Sequence, residues 1–518
     1  MIRPPFGFRL SWLGYTLLVL AGLPLCPDIL LGQGTPGLIN RHRARQAGMR
    51  VRWFTHAQLD PATTRIRDMR LHVDSKRAET YYEVAADGEF EVISAKKLDA
   101  YGEPLGDEGA RNYAEGRAEL LRQRGYTDVT VTRHVVPRMT LYVLTSASLL
   151  QAIDAETGKT LWKVTVGRPD LASIGPAVSD DYVAVINGLR LHVFNAVTGH
   201  RIWTEPIEHA AGVRPVIIDG LPNQKVVVYV PSVSGEVFGY DVHDRLMEVP
   251  AFRSFGRILT PATRMDKHLI WSDDKGYVNI AGAAHFNIEY MLQTDSLLST
   301  SPIFHPPNTL LFATHHGTLY AVDVPKPRIR WRYPTGQRTY GEPVVIGNRV
   351  YFITDVDGLN CLSLADGKRI WSAPTIVKFI AASRDHLYVL DRARHFAKLD
   401  AKTGSMLAQV RVDDLDLVLV NRLTDRIFIG TRRGLIQCVH EERNRWPVIH
   451  AGGELEVAAD AKKAAPKEEK KTEAPQAPPK NDNPFGGGAP FKEPAPKPPA
   501  KQPDDNPFGQ PDDNPFGV

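Results

Sequence analysis

The sequence predicts an all-β fold: an eight-bladed β-propeller over residues 128–452, preceded by a small α+β segment and followed by a tail without core-forming side chains. Three observations lead there: turn residues recurring every 36 to 46 positions, apolar alternation within each unit, and abrupt composition shifts at both ends. Aligning strand-like runs on the turn residue before them gives registers at Ser148, Leu189, Gly235, Gly276, Gly317, Gly358, Arg394 and Gly434. A period near 40 with period-2 alternation indicates four short strands per unit, the pattern of a propeller blade. The 325 residues from Asp128 to Gly452 hold close to eight such units.

Residues 1–33 read as an export signal: Arg3 and Arg9 form a positive start, and Leu10 to Leu25 form an apolar run too short to span a bilayer comfortably. Gly32 and Gly34 suggest processing near Gln33. The run Leu23-Pro24-Leu25-Cys26 lacks the small residues that lipidation at Cys26 would need, so anchoring there is not expected. No later run reaches 18 apolar residues, so no transmembrane segment follows the leader, and the expected location is the periplasm or the cell surface.

Residues 34–127 read as the α+β segment. Arg50-Val51-Arg52-Trp53-Phe54, Arg65 to Val73 and Tyr81 to Val84 look like strands, and Asp107 to Arg124 like a helix capped by Asp107 and stopped by Gly125. Its basic opening, Arg41 to Arg45, reads first as an exposed solvated start, with peripheral contact with an anionic membrane or polymer as the alternative.

Unit one shows the parts of a blade. Val129 to Val135 supplies strand A, Leu141 to Leu144 strand B, Leu149 to Asp154 strand C, and Leu161-Trp162 strand D. Pro176, Pro215, Pro261, Pro302 and Pro343 stand near the starts of later A strands, where a residue need not donate to the ladder. Blade eight runs from Leu415 through Leu435 to Val439 and ends near Trp446. Asp154-x-x-Thr157-Gly158 places an Asx side chain to accept turn amides and a glycine where φ is positive; Asn195 to Gly199 and Asp400 to Gly404 repeat it. Trp162, Trp203, Trp331 and Trp371 share the register four residues beyond and are expected to wedge between neighbouring blades.

The motif Ala152-x-Asp154-x-x-Thr157-Gly158-x-x-x-Trp162, with a strand-A proline, resembles the repeat of pyrroloquinoline-quinone-type (PQQ-like) propellers. That family includes quinoprotein alcohol dehydrogenases and a non-enzymatic propeller of the outer-membrane protein assembly machine. The full motif is read in units one, two and seven, one residue short in unit six, and degenerate elsewhere. For the dehydrogenases the resemblance implies a vicinal cysteine pair over the quinone, a calcium site and a catalytic aspartate. No Cys-Cys pair stands in this sequence, and no calcium ligand transfers to a numbered position. Cys438 occupies the repeat position of Ala152, and Cys361 lies one residue earlier in its strand, so both read as small core residues. No catalytic residue, cofactor or metal is therefore assigned.

A net charge of +4 gives no whole-molecule field for nucleic acid, and no Gly-rich phosphate loop, HExxH or GxSxG is present. The B–C hairpins gather chemistry on one face: Asp273, Asp274, His315, His316, Asp355, Asp357 and Asp391, then Arg392, Arg394, Arg432 and Arg433. That face should be acidic and His-bearing over blades four to six and basic over blades seven and eight.

Residues 453–518 are Pro-, Lys- and Asp-rich; 14 of the chain's 39 prolines fall between Ala461 and Val518, a composition that cannot offset the entropy of folding. Asn483-Pro484-Phe485, Asn506-Pro507-Phe508 and Asn514-Pro515-Phe516, each followed by glycine, read first as duplicated units of a low-complexity spacer; single phenylalanines for weak multivalent docking are the alternative. The reading favoured is an exported propeller scaffold for other envelope proteins; a quinone-dependent dehydrogenase-like enzyme and a cell-wall polymer binding module are the alternatives.

Overall fold

The computed structural model describes residues 38–450 apart from 88 and 413; the leader, Cys26 and the tail with its Asn-Pro-Phe triplets lie outside the described residues. Helix α1 (Arg41–Gln46) and strand β1 (Met49–His56) come first. Then follow β2 (Ile66–Ala86), β3 (Glu89–Ser94), α2 (Gly106–Gln123), β4 (Thr130–Thr145), β5 (Leu149–Asp154) and β6 (Thr160–Thr165). The described residues form eight sheets, seven of four strands and one of five. Between the second and third strand of each sheet the chain turns on a left-handed residue: Ser148, Gly188, Gly235, Gly276, Gly317, Gly358, Arg394 or Gly434. Seven of these are registers read from the sequence; in the second sheet the turn rests on Gly188, with Leu189 just after it, because the glycine takes the positive φ (59°). At Gly317 (φ 80°) a Cβ would stand 2.0 Å from the Gln337 carbonyl oxygen, so no larger residue fits.

Hydrophobic burial holds the sheets face to face. Leu144, Trp162, Val183 and Phe194 pack between the first and second sheets, and Tyr229, Phe252, Leu269 and Trp271 between the third and fourth. Trp53, Met69, Leu141, Phe428 and Ile436 pack between the eighth sheet and the first, so the series of sheets closes on itself.

The closing strand comes from the other end of the chain. β1 is the outer strand of the last sheet, paired antiparallel with Leu435–Glu441 from Met49↔Glu441 to His56↔Leu435. The sequence places the end of the last blade near Trp446, but no strand forms there, because Glu442-Arg443-Asn444-Arg445 offers no apolar alternation. Trp446 instead stacks on His134, centroids 4.3 Å apart, beside Tyr81. Trp53 stands in β1 at the wedge register: its Nε1 donates to Ala155 O at 3.0 Å. Trp162 does the same to Ala196 O (2.9 Å), Trp203 to Val242 O (3.0 Å), Trp331 to Leu364 O (2.9 Å) and Trp371 to Ala401 O (3.2 Å). Each ring thus crosses from its own sheet to the next. The seventh sheet departs from the full motif read in the sequence: Ala408, opposite Lys398, holds the tryptophan register. Small residues face the tryptophans across the strand pair, Ala152, Ala321, Cys361 and Cys438 opposite Trp162, Trp331, Trp371 and Trp53. Cys361 therefore shares the register of Cys438, a correction to its expected place one residue earlier.

The first sheet also differs from expectation. Its inner strand is Ile66–Val73 of β2, paired with Met139–Thr145, whereas Thr130–Pro137 pairs with Ala78–Ala85 farther along the same two strands. Val129 to Val135 is not strand A, because β4 runs unbroken through it into strand B. Residues 34–127 are thus shared: β1 and the start of β2 belong to the ring of sheets, and the rest forms an α+β outgrowth. There Ala110, Ala114 and Ala118 of α2 pack on Tyr82, Val84 and Ile93. Asp107 does not cap α2; it lies inside the helix and accepts from Tyr82 OH at 2.9 Å, while Leu105 holds the cap position without a side-chain bond. Where β2 bulges, Ser75 donates to Asp180 at 2.5 Å and Lys76 pairs with Asp181 at 2.6 Å, fixing the outgrowth to the second sheet.

Candidate interaction face

Four antiparallel strands per sheet put the second-to-third-strand hairpins and the connections to the next sheet at the same end. Backbone bonds join the two sets: Asp274 N donates to Arg257 O (2.9 Å), His315 N to Leu297 O (3.0 Å), Arg392 N to Thr375 O (3.0 Å) and Val233 N to Ala210 O (3.1 Å). The face is therefore a rigid platform of paired loops.

The structure brings the eleven hairpin residues of the sequence reading to this end, but it does not leave them equally free. Asp273 is buried and accepts from Lys275 N and Tyr277 N, both at 3.0 Å. Asp391 is buried as well, accepting from His395 N at 2.7 Å and Gln409 Nε2 at 2.6 Å. Both hold their own hairpins together and offer no surface, because a carboxylate in a tight turn satisfies the local amides. These amide bonds, with His395 beside it, hold the Asp391 carboxyl below its usual range against the opposing effect of burial. Asp274 is committed to Arg257, 3.0 Å away. Asp357 pairs loosely with Arg369 (3.5 Å), and Arg392 crosses to Asp355 O (2.7 Å). His315 and His316 are exposed, as are Asp355, Arg432 and Arg433. Arg394 donates to Leu415 O, and with Arg433 it lines an open recess that also contains Asp414 and Asp416. Those two aspartates break up the basic arc expected over the last two blades.

Composition gave no sign of an apolar arc on the same face. Leu171, Leu189, Val233, Phe255 and Leu259 are 37%, 56%, 41%, 68% and 53% exposed, in the loops of the first four sheets. A signal existed: large apolar residues beside glycines in turns, as in Ser254-Phe255-Gly256 and Gly188-Leu189, where polar residues are the norm.

The described cysteines do not form the vicinal pair that the dehydrogenase resemblance implies. Cys361 and Cys438 are buried in the sixth and eighth sheets, each opposite a tryptophan, and burial pushes the Cys361 thiol up to about 11. Among the described residues no three His, Cys, Asp or Glu side chains gather where a metal could be held.

The family model of the outer membrane protein assembly factor BamB matches residues 107–246 and 269–446, more than half of the chain. The chain belongs to the BamB family. Curated relatives are BamB of Salmonella typhimurium, 20% identical over 58% of this chain and 81% of its own, and BamB of Escherichia coli, 23% identical over 53% and 74%. BamB of Shewanella oneidensis is 22% identical over 58% and 69%. The solved structure of BamB from Moraxella catarrhalis is similar over 58% of this chain and 93% of its own, with a TM-score of 0.47 and 13% identity. Family membership is that of a PQQ-like propeller, the fold the repeat motif resembles.

Proposed function

We propose that this chain is an exported scaffold of outer-membrane protein assembly that docks another envelope protein on the hairpin face. The observation that carries the reading is the apolar arc from Leu171 to Leu259 on a platform whose loops are bonded to one another. Large exposed apolar side chains grouped on a rigid surface mark a protein contact, and rim charges around them tune orientation and rate. The family resemblance supports the assembly setting, and the Arg3/Arg9 leader pattern supports export.

The test is a Leu189→Asp/Phe255→Asp double variant expressed with a leader in an envelope-bearing host. Both side chains are exposed, so the fold should survive, while the set of cross-linked envelope proteins should shrink. Retention of every partner at unchanged yield would exclude this face. Intact mass of the recovered protein tests export: a full-length chain found only in the cytosol would overturn it.

A further inference from the structure

Behind the closing sheet, at the end opposite the hairpin face, lies a recess of about 550 Å³ between α1, β1, the β2–β3 outgrowth and the turn after the last strand. Five arginines line it against two glutamates, Glu156 and Glu442. Two of the five are committed: Arg52 pairs with Glu156 at 2.7 Å, and Arg445 pairs with Glu83 while its guanidinium lies 2.9 Å over the Phe90 ring. Glu156 also receives the buried Arg426 at 2.8 Å, so its charge is already shared. Among the described residues, Arg41, Arg45 and Arg50 have no carboxylate in ion-pairing range, and all three are exposed around the recess. The other wall is apolar and fixed. Phe90 and Val92 are 41% and 40% exposed, and Trp446 is held by its Nε1 donating to Glu83 at 2.7 Å.

We propose that this recess binds a phosphate-bearing ligand with an apolar group. Three unpaired guanidinium forks exceed what a single carboxylate neutralises and match the several oxygens of a phosphate. The exposed parts of Phe90 and Val92 receive the apolar part, and the volume lies in the range of small-ligand sites, roughly 300 to 1,000 Å³. A soluble phosphomonoester with an apolar substituent and a phospholipid, whose phosphate is joined to acyl chains, share this chemistry. The site stands on other residues than the docking face, so each proposal can fail alone.

Phenyl phosphate and inorganic phosphate are titrated calorimetrically into the full chain at low salt. Saturable one-site binding is expected, tighter for phenyl phosphate. An Arg45→Gln/Arg50→Gln variant should weaken it about 10- to 100-fold, the cost of losing charge-assisted bonds, with the melting temperature unchanged. Phe90→Ala should reduce the preference for phenyl phosphate over inorganic phosphate, and Arg41→Gln supplies a variant outside the strand if the double change disturbs β1. Displacement of phenyl phosphate by phosphatidylglycerol vesicles assigns the lipid source, and indifference to them the soluble one. No saturable binding of either phosphate, or equal binding by folded arginine variants, overturns the proposal.

Discussion

Replacing Trp53 by alanine tests the closure of the ring. The ring is 8% exposed, lies in the core between the last and first sheets, and donates to Ala155 O at 3.0 Å. Truncating a buried tryptophan costs about 3 to 5 kcal/mol, and the loss should fall on closure, since β1 is the only chain segment between Leu435–Glu441 and solvent at that edge among the described residues. The contact has a partner that allows a sharper experiment. Gly158 (φ 74°) sits so close that a Cβ there would meet the Trp53 ring at 2.6 Å. Gly158→Ala therefore carries a steric cost of about 1 to 3 kcal/mol on top of left-handed strain of about 1 to 2 kcal/mol. In the Trp53→Ala background the cavity accepts the methyl group and only the strain remains, so the coupling between the two sites should be about 1 to 3 kcal/mol. Urea unfolding of the four proteins measures it. Gly404→Ala with Trp371→Ala, where the same distance is again 2.6 Å, provides an internal joint for comparison. Equal costs for Gly158→Ala in both backgrounds, or a Trp53→Ala protein as stable as the parent, would refute closure through this wedge.

Three further outcomes follow from the same geometry. His192 and His440 are buried, and burial lowers each to about 4; their neutral forms favour the fold above the ordinary value near 6.5, and that stability is lost as pH falls from there toward 4. Each should cost about 2 kcal/mol between pH 7 and 5, and a His192→Gln/His440→Gln protein should show a flatter urea midpoint against pH over that window. Reversing Arg392, Arg432 and Arg433 to glutamate should change salt dependence of partner capture and leave the melting temperature within a few degrees, because exposed charges contribute about 0 to 1 kcal/mol each; an unfolded variant would contradict their surface placement. Truncation after Gly453 should leave the melting temperature nearly unchanged, since 453–518 holds few large apolar side chains, scattered among prolines and charges; loss of folding would show that the segment completes the core.

The repeat was legible because its physics is local. A hairpin needs one residue with positive φ, and glycine announces it; at Ser148 and Arg394, where no glycine stands, the repeat interval carries the register across. The Asx turn and its tryptophan are equally local, with Asp154 Oδ1 accepting from Thr157 N at 2.7 Å and Asp400 Oδ1 from Thr403 N at 2.8 Å. What the sequence concealed is long-range. Trp53 carries the wedge 105 residues before the Gly158 it touches, and no turn motif precedes it in its own strand, because the strand it pairs with lies almost 400 residues downstream. Its alternation marked a strand but could not say whose. Strand A of the first sheet failed for a related reason: β4 is long enough to pair twice with β2, so local alternation in Val129 to Val135 was real while its partner was misassigned.

The face residues divide along the same line. Asp273 and Asp391 look like surface charges in a hairpin, yet each is consumed by amides two to four residues away, the use that an aspartate at the start of a tight turn most readily finds. Leu189 and Phe255 occupy the positions where water is available and polarity costs nothing, and they are apolar. A side chain that satisfies its own turn is explained by the fold, whereas one that exposes hydrocarbon at a turn gains nothing from the fold. Grouped on one rigid face, side chains of the second kind support docking there, and the docking proposal rests on Leu189 and Phe255 rather than on the hairpin charges.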